Sequence, residues 1–218
     1  MAELVQNLGS FVPDNLIVDG SVPILTKAVK LDAEQGELKR GTVLGKIIKA
    51  VGTIEKPEDE DKGTISEVVL GKTAKLGTYT LTCTTATDTG ISAVFKVVDP
   101  DGIRLDDATA GVAYVGPINF TITEGTSGFA LDDEFSISVV AGDGQYKVVN
   151  SANVDGSQDA DCILADDVNT AEGSVVAVAY TSGHFNRKAL IFGGKDTADM
   201  HEAKLRELGI FLSDNVPY

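Results

Sequence analysis

The middle of the chain alternates between large apolar residues and small polar residues with a period of two. Because successive side chains of a strand point to opposite faces, this alternation predicts strands with one buried and one exposed face. An Asp-Pro-Asp-Gly tight turn is predicted at residues 99–102. Strands recurring at this spacing predict a small antiparallel β sandwich. The apolar members of the alternating segments are Tyr79, Leu81 and Cys83, Phe95 and Val97, Ile118, Phe120 and Ile122, and Phe135, Ile137 and Val139.

Shorter apolar runs lie on both sides of this stretch. Residues 22–31 and 42–48 each predict a strand. Residues 174–180 are apolar on both faces, with Val176 and Val178 on the face that carries the larger side chains. A run of this kind predicts a central strand that is covered on both sides.

One short helix is predicted near the C-terminus. Asp196 or Thr197 can cap its start, Asp199 places a negative charge in its first turn, and Gly209 fits its end. A stripe of mostly apolar residues at helical spacing predicts the side of this helix that packs against the rest of the protein. This stripe consists of Ala198, His201, Leu205 and Leu208.

Two polar segments rich in helix and strand breakers divide the chain. Residues 55–63 are charged and contain a proline, and residues 141–144 read Ala-Gly-Asp-Gly. We therefore predict a mainly β fold in which a compact β-rich domain with one short C-terminal helix is interrupted by an antiparallel sandwich. The expected units are an arm of residues 1–20, a discontinuous core domain of residues 21–62 and 143–218, and an inserted sandwich of residues 63–142.

The charge of the chain limits its partners. It has 218 residues, of which 18 are basic and 33 acidic, and its formal net charge is −15. Such a surface repels phosphate and anionic headgroups, so we expect neither a nucleic-acid nor a membrane partner. No apolar run reaches the roughly 18 residues of a membrane span, and the first residues lack the pattern of a secretory signal. Cys83 and Cys162 lie far apart, which favours free thiols in a reducing cytoplasm.

Motifs for catalysis and metal binding are missing or incomplete. We find no nucleophile elbow and no glycine-rich phosphate loop before a helix. Residues 151–162 match part of an EF-hand, but Cys162 stands where a bidentate glutamate is required. The aspartates around Cys162 could hold a cation, although no histidine lies nearby. With His184 and His201 as the two histidines, we expect a protein that is not an enzyme and that has no cofactor or metal site.

The first 20 residues are apolar without a helical or alternating period, and Pro13 interrupts any long helix. One interpretation is a frayed tail. The other is an arm that orders on a partner by adding backbone hydrogen bonds to an exposed sheet edge. The residues expected to contact that partner are Leu4, Val5, Phe11, Val12, Leu16 and Ile17.

Four segments outside the middle stretch follow the order and spacing of a known family. They are residues 36–46 (GELKRGTVLGK), 163–168 (ILADDV), 175–186 (VVAVAYTSGHFN) and 205–210 (LRELGI). With these segments the chain resembles the lambda-type bacteriophage head decoration proteins over roughly residues 16–56 and 145–212.

The resemblance implies a homotrimer on the three-fold and quasi-three-fold positions of an icosahedral head. It also implies a non-enzymatic protein of the outer capsid surface, made in the bacterial cytoplasm, that cements neighbouring capsid subunits against internal DNA pressure. The partners would be the major capsid protein, reached by the N-terminal arm, and further copies of the chain itself. For the trimer interface we expect the residues His201, Ile210, Phe211 and Leu212.

The inserted segment resembles an immunoglobulin-like module appended to phage structural proteins, over residues 76–139. Its role is open between extra trimer contacts, adhesion and bulk. The first alternative function is a virion-surface binding module whose inserted domain attaches to a host-surface glycan or protein. The second is a metal-dependent enzyme that uses the Asp-rich loop.

Overall fold

The computed structural model describes residues 15–57, 59 and 61–214. In this part of the chain the structure is mainly β, with one α-helix near the C-terminus, as the sequence predicted. The elements in chain order are β1 (Ile17–Asp19), β2 (Leu25–Leu31), β3 (Glu37–Leu38), β4 (Val43–Lys46), β5 (Lys49–Glu55), β6 (Gly63–Ile65), β7 (Val69–Leu70), β8 (Gly77–Thr85), β9 (Val94–Val98), β10 (Ala108–Thr109), β11 (Ala113–Tyr114), β12 (Ile118–Glu124), β13 (Glu134–Ala141), β14 (Tyr146–Val148), β15 (Ala160–Leu164), β16 (Val168–Asn169), β17 (Val175–Asn186), a 3₁₀ turn (Arg187–Ala189), α1 (Ala198–Glu207) and β18 (Ile210–Ser213).

Five strands from the two ends of the chain close into a small barrel. Their order is β17, β15, β4, β14 and β2, and β2 then pairs again with β17. All neighbours are antiparallel except β14 and β2, which run parallel. Closure leaves no unpaired edge among these five strands. Buried side chains from every one of them pack together: Val29, Leu31, Leu44, Tyr146, Cys162, Leu164, Ala177 and Ala179.

A second core lies outside the barrel wall. Leu44 of β4 and Leu164 of β15 belong to the barrel cluster, whereas their neighbours Val43 and Ile163 belong to another. This second cluster also takes in residues of α1, β1, β18 and the end of β17. We call it the helix core. Both faces of β4 and β15 are therefore buried, which explains the consecutive apolar residues in these strands.

The central strand predicted at residues 174–180 is present, but it is not covered on both faces. It forms the first half of β17 and pairs with both β2 and β15. Val176 and Val178 are 69% and 45% exposed. The reason is that α1 covers the wall at β15, and in the described residues nothing covers this part of β17.

The middle of the chain folds as two facing sheets, as its alternation predicted. One sheet has the order β10, β9, β8, β13 and β5, and the other has the order β11, β12 and β6, with β7 also on β12. The predicted apolar positions all face a shared core, in which each is at most 4% exposed. Phe95 packs edge-on against Phe129 with ring centroids 5.0 Å apart. We call this unit the sandwich.

The predicted turn at residues 99–102 is confirmed. The Gly102 N–H donates to the Asp99 carbonyl at 2.9 Å, and Gly102 has the positive φ of +79° that glycine allows. The Asp99 carboxylate accepts from the backbone N–H of Asp101 and Ile103. It also pairs with Lys75 at 2.7 Å, and this pairing together with the backbone bonds lowers the Asp99 pKa.

The structure places the start of the sandwich earlier than the sequence did. β5 was assigned to the core domain, yet it pairs with β13 in the sandwich sheet, with Ile54 opposite Ile137 and Val51 opposite Val139. The charged run at residues 55–63 then connects two strands of the sandwich. A polar, breaker-rich run marks a surface turn whether it joins domains or strands, so its composition could not distinguish the two.

The chain crosses between barrel and sandwich at two places that lie side by side. The Ile47 N–H donates to the Gln145 carbonyl at 2.9 Å, and the Gly144 N–H donates back to the Ile47 carbonyl at 3.2 Å. A Cβ on Gly142 would lie 2.7 Å from the Ile47 carbonyl oxygen, so glycine permits the close approach.

This junction predicts how the sandwich can be excised. Replacing residues 49–141 with a short Gly/Ser link should leave a barrel that melts cooperatively, because the two crossings are adjacent. Replacing residues 63–142 instead should give a less stable, aggregation-prone protein, since β5 loses its partner β13. Circular dichroism melts and light scattering of the two variants test this. A better-behaved 63–142 deletion would contradict the boundary drawn here.

Candidate functional site

The N-terminal segment enters the fold at Leu16. This side chain is 3% exposed and packs in the helix core. Its carbonyl oxygen accepts a hydrogen bond of 2.8 Å from the end of β17, and Ile17 then pairs with Phe185. Neither a frayed tail nor an arm that orders only on a partner therefore describes Leu16 and β1. Burial and backbone hydrogen bonds hold these residues to the chain's own β17.

The six residues predicted to contact a partner divide into two groups. Leu16 has little accessible surface, and Ile17 is half-buried. Their contact with a partner stays a prediction. The other four lie outside the described residues: Leu4, Val5, Phe11 and Val12.

A small polar cluster fixes the chain just after β1. The Asp19 carboxylate accepts from the Ser21 N–H at 2.9 Å and from the Ser21 hydroxyl at 2.5 Å, and His184 Nδ1 lies 3.1 Å away. The hydrogen bonds from Ser21, with a smaller effect of His184, lower the pKa of Asp19 to about 2. The carboxylate is therefore ionised at neutral pH, and it ties the loop after β1 to β17.

Both ends of the described chain lie against the second half of β17. β18 runs parallel to it, with Gly183 opposite Ile210 and Asn186 opposite Ser213, while β1 pairs on the other side. In residues 15–214, apart from the two undescribed positions, β1 and β18 pair with β17 alone. Their outer edges can therefore accept an added strand.

The residues predicted for the trimer interface are mostly interior. Ile210 and Leu212 are 0% and 9% exposed in the helix core, and His201 is 5% exposed. Phe211 is 38% exposed. The difference follows from strand geometry, since Ile210 and Leu212 face the core and Phe211 faces outwards. Of the four, Phe211 has substantial surface to offer another chain, and its place in an interface stays a prediction.

His201 takes part in a buried polar cluster that the sequence did not reveal. Its Nε2 lies 2.8 Å from Asp196 Oδ2, and its ring stacks on Phe192 with centroids 5.4 Å apart. Asp196 also accepts two hydrogen bonds of 2.6 Å from Ser151, one from the N–H and one from the hydroxyl. The side chains of Asp196 and His201 are 4% and 6% exposed. The cluster ties the start of α1 to the loop after β14.

Of the two residues predicted to cap the start of α1, the structure has Thr197 in the N-cap position and not Asp196. The N-cap is Thr197, and its side chain makes no capping hydrogen bond, while Asp196 is used by Ser151 and His201. The end agrees with prediction, since Gly209 has φ +83°. The sequence does contain a signal for this cluster. Asp196 lies just before the helix, and His201 lies among the helix residues that were predicted to be buried.

An exposed apolar surface lies on the barrel where β2 and β17 pair. Val178 sits directly opposite the exposed Ala28, and Val176 sits opposite Lys30. We call Ala28, Val176 and Val178 the outer face. Exposed apolar surface of this kind is typical of a site of protein contact.

The groups with chemical reactivity are buried or dispersed. Cys83 and Cys162 are free and buried, and burial raises the pKa of Cys162 to about 12, so its thiolate scarcely forms at neutral pH. In the described ranges, no three His, Cys, Asp or Glu side chains converge as metal ligands. The helix in this part of the chain is too short and too polar to cross a membrane.

The described residues thus form two β units with buried apolar cores, exposed apolar side chains on the barrel, and sheet edges at β1 and β18. The family model described as Bacteriophage lambda head decoration protein D matches residues 5–211, a range that includes both the barrel and the sandwich. The chain belongs to this family, and the resemblance seen in its sequence is confirmed. It is thus a bacteriophage head decoration protein, a structural component of the virion capsid. No curated protein and no solved structure matched it.

The buried cluster predicts how stability depends on pH. The hydrogen bonds from Ser151 and His201 outweigh the effect of burial and lower the Asp196 pKa below its usual 3.8. Its stabilisation is therefore complete above pH 3.8 and is lost as pH falls through the lower value in the folded state. Asp196→Asn should cost about 1–3 kcal/mol at pH 7. That difference should shrink as the pH falls below 3.8.

Urea unfolding across this pH range measures the effect, with the exposed Asp106→Asn as the matched control. The control should stay within about 0.5 kcal/mol of the parent. A difference between Asp196→Asn and the parent that does not shrink as the pH falls would show that the ionised carboxylate is not what stabilises the fold.

Proposed function

We propose that the protein decorates the outer surface of the phage head as a homotrimer at three-fold and quasi-three-fold sites. There it cements neighbouring subunits of the major capsid protein against internal DNA pressure, and it catalyses no reaction. The observation that carries this proposal is the family match over residues 5–211. The outer face of the barrel supports a trimer contact, and the apolar sequence of residues 1–14 supports a capsid contact.

The capsid contact is assigned to residues 1–14, which precede the buried Leu16. A segment of this length can span up to about 46–50 Å when extended. It contains Leu4, Val5, Phe11 and Val12, which are suited to fill apolar pockets while the backbone adds to a capsid sheet edge. The burial of Leu16 supports this assignment, because it fixes the point at which the segment joins the fold.

The trimer contact is assigned to the outer face of the barrel. A three-fold ring forms when one patch of each subunit meets a different patch of the next. The outer face supplies an apolar first patch in Ala28, Val176 and Val178. Three linked capsid contacts then raise avidity by roughly 10²–10⁴ over a single contact, which suits a protein that grips the head by a short segment.

The sandwich is placed away from the capsid shell, facing the medium. Residues 49–141 contain seven basic and fifteen acidic residues, a net charge of −8. Such charge keeps a high-copy outer protein soluble and repels nucleic acid during assembly. The acidic residues concentrate at the tip farthest from the barrel, where Asp59, Asp61, Asp132, Asp133 and Glu134 lie in or beside the turns that lead into β6 and β13.

Removing residues 1–12 should separate docking from folding. The melting temperature should change by no more than about 1–2 °C, because Leu16 and β1 remain. Retention on undecorated heads should fall at least roughly tenfold, since the pocket-filling residues are gone. Differential scanning fluorimetry and co-sedimentation with heads measure the two properties.

Leu16→Ala is the matched contrast for this truncation. It should cost about 2–5 kcal/mol of stability, because the side chain is buried. It should nevertheless leave docking intact at temperatures where the protein is folded. A truncated protein that docks as well as the parent would overturn the assignment of the capsid contact.

Val178→Asp tests the outer face. The side chain is 45% exposed, so the fold should tolerate the carboxylate, but a charge in an apolar contact should weaken the trimer about 10–100-fold. Sedimentation velocity and native mass spectrometry measure the change. Val115→Asp, at an 82% exposed position on the sandwich, is the control and should stay trimeric. A monomeric parent, or an unaffected Val178→Asp trimer, would refute the proposal.

A further inference from the structure

A third element lies against the two chain crossings between barrel and sandwich. It is the loop of residues 150–157, which we call the junction loop. The Asp155 carbonyl oxygen accepts two hydrogen bonds at the crossing, from the Ile48 N–H at 2.8 Å and the Lys49 N–H at 2.9 Å. Val154 packs against the core of the sandwich. The loop therefore belongs to the barrel by sequence and holds the sandwich by contact.

The junction loop is itself held rigid. The Asp155 carboxylate pairs with Lys147 at 2.5 Å and accepts from the Ser157 N–H and hydroxyl at 3.0 and 2.6 Å. The Ser157 hydroxyl also accepts from the Asn153 side-chain amide at 2.7 Å. A side chain in this network has few alternative positions, since each polar group already serves a named neighbour.

Backbone packing fixes the loop against the barrel wall. A Cβ on Gly45 of β4 would lie 2.3 Å from the Ser157 carbonyl oxygen. A Cβ on Gly156, whose φ is +111°, would lie 2.8 Å from the Lys46 carbonyl oxygen and closer still to Ile48. Both positions require glycine, and contact between backbones leaves the loop no room to shift.

The far end of the loop is tied to the helix. Ser151 donates its N–H and its hydroxyl to the buried Asp196 carboxylate, which also contacts His201 of α1. The contacts therefore run without a gap from α1 through Asp196 and the junction loop to the first residues of β5.

We propose that the junction loop is a strut that fixes the angle between sandwich and barrel, and that the Asp196 carboxylate tethers this strut to α1. The sandwich then stands at one orientation on the barrel. A disturbance of α1 reaches the sandwich through Ser151. This inference is independent of the proposed capsid and trimer contacts.

The test is a distance measurement between nitroxide labels on Thr89→Cys in the sandwich and Glu172→Cys in the barrel, both at exposed positions. The native thiols are buried and resist labelling. Labelled protein is diluted in an excess of unlabelled protein, so that distances within one chain dominate. The parent should give one narrow distance distribution. Ser151→Ala combined with Val154→Ser should widen it at least about two-fold.

Ser21→Ala is the matched control, because it removes a similar serine-to-aspartate hydrogen bond far along the chain from the junction loop. It should leave the distribution unchanged. A broad distribution in the parent, or a narrow one in the double variant, would overturn the strut.

Hydrogen exchange keeps the proposal testable if the double variant does not fold. Ser151→Ala alone should speed exchange of the Ile48 and Lys49 amides at least about tenfold while leaving the Ile163 amide of the barrel wall unchanged. Equal exchange at Ile48 and Lys49 in both proteins would show that the tether does not reach the junction.

Discussion

The pairing of β17 with β2 is the interaction on which the rest of the structure depends. It runs from Val175 opposite Leu31 to Ser182 opposite Leu25 and closes the barrel. Without it, β2 and β17 would each present an unpaired edge, and the barrel interior would open to water. The same strand continues past the barrel, where its second half binds β1 and β18. Barrel closure and the positions of β1 and β18 therefore depend on one twelve-residue strand.

A barrel of five short strands has a small interior, and the helix core supplies what the interior lacks. β4 and β15 contribute to both clusters, so the barrel wall is shared between two sets of apolar contacts. The buried Asp196 then connects this helix core to the junction loop at the price of a desolvated carboxylate, which Ser151 and His201 satisfy. Two kinds of contact thus hold α1 in place. One is the apolar packing of the helix core against the outside of the barrel wall, and the other is the hydrogen-bonded Asp196 cluster.

The division into barrel and sandwich separates two demands on a head decoration protein. The barrel carries β1, β18 and the exposed apolar side chains of the outer face, which are surfaces suited to firm contact with other proteins. The sandwich carries a closed apolar core and an acidic tip, which suit a solvated position. Because the sandwich is inserted within the barrel sequence, its two crossings come together at one place. Its orientation can then be set by local contacts.

Local pattern determined much of this protein. The alternation at Tyr79, Leu81 and Cys83 fixed which faces of the sandwich are buried, because side-chain direction in a strand has a strict period of two. The turn at residues 99–102 and the end of α1 at Gly209 followed from residues that allow particular backbone angles. The order of short segments was enough to recognise the family that the comparison then confirmed.

Tertiary structure alone decided which apolar surfaces find a cover. Val176 and Val43 both lie in continuous apolar runs of the sequence. In the structure Val43 is buried in the helix core that α1 completes, whereas Val176 on β17 is exposed. Leu16 and Ile210 looked available for partners, yet they complete the chain's own helix core. The sequence placed residues 49–55 in the core domain, yet as β5 they pair with β13 of the sandwich. A sequence pattern records that a face is apolar, whereas its partner is chosen by contacts between residues far apart in the chain, which no local period encodes.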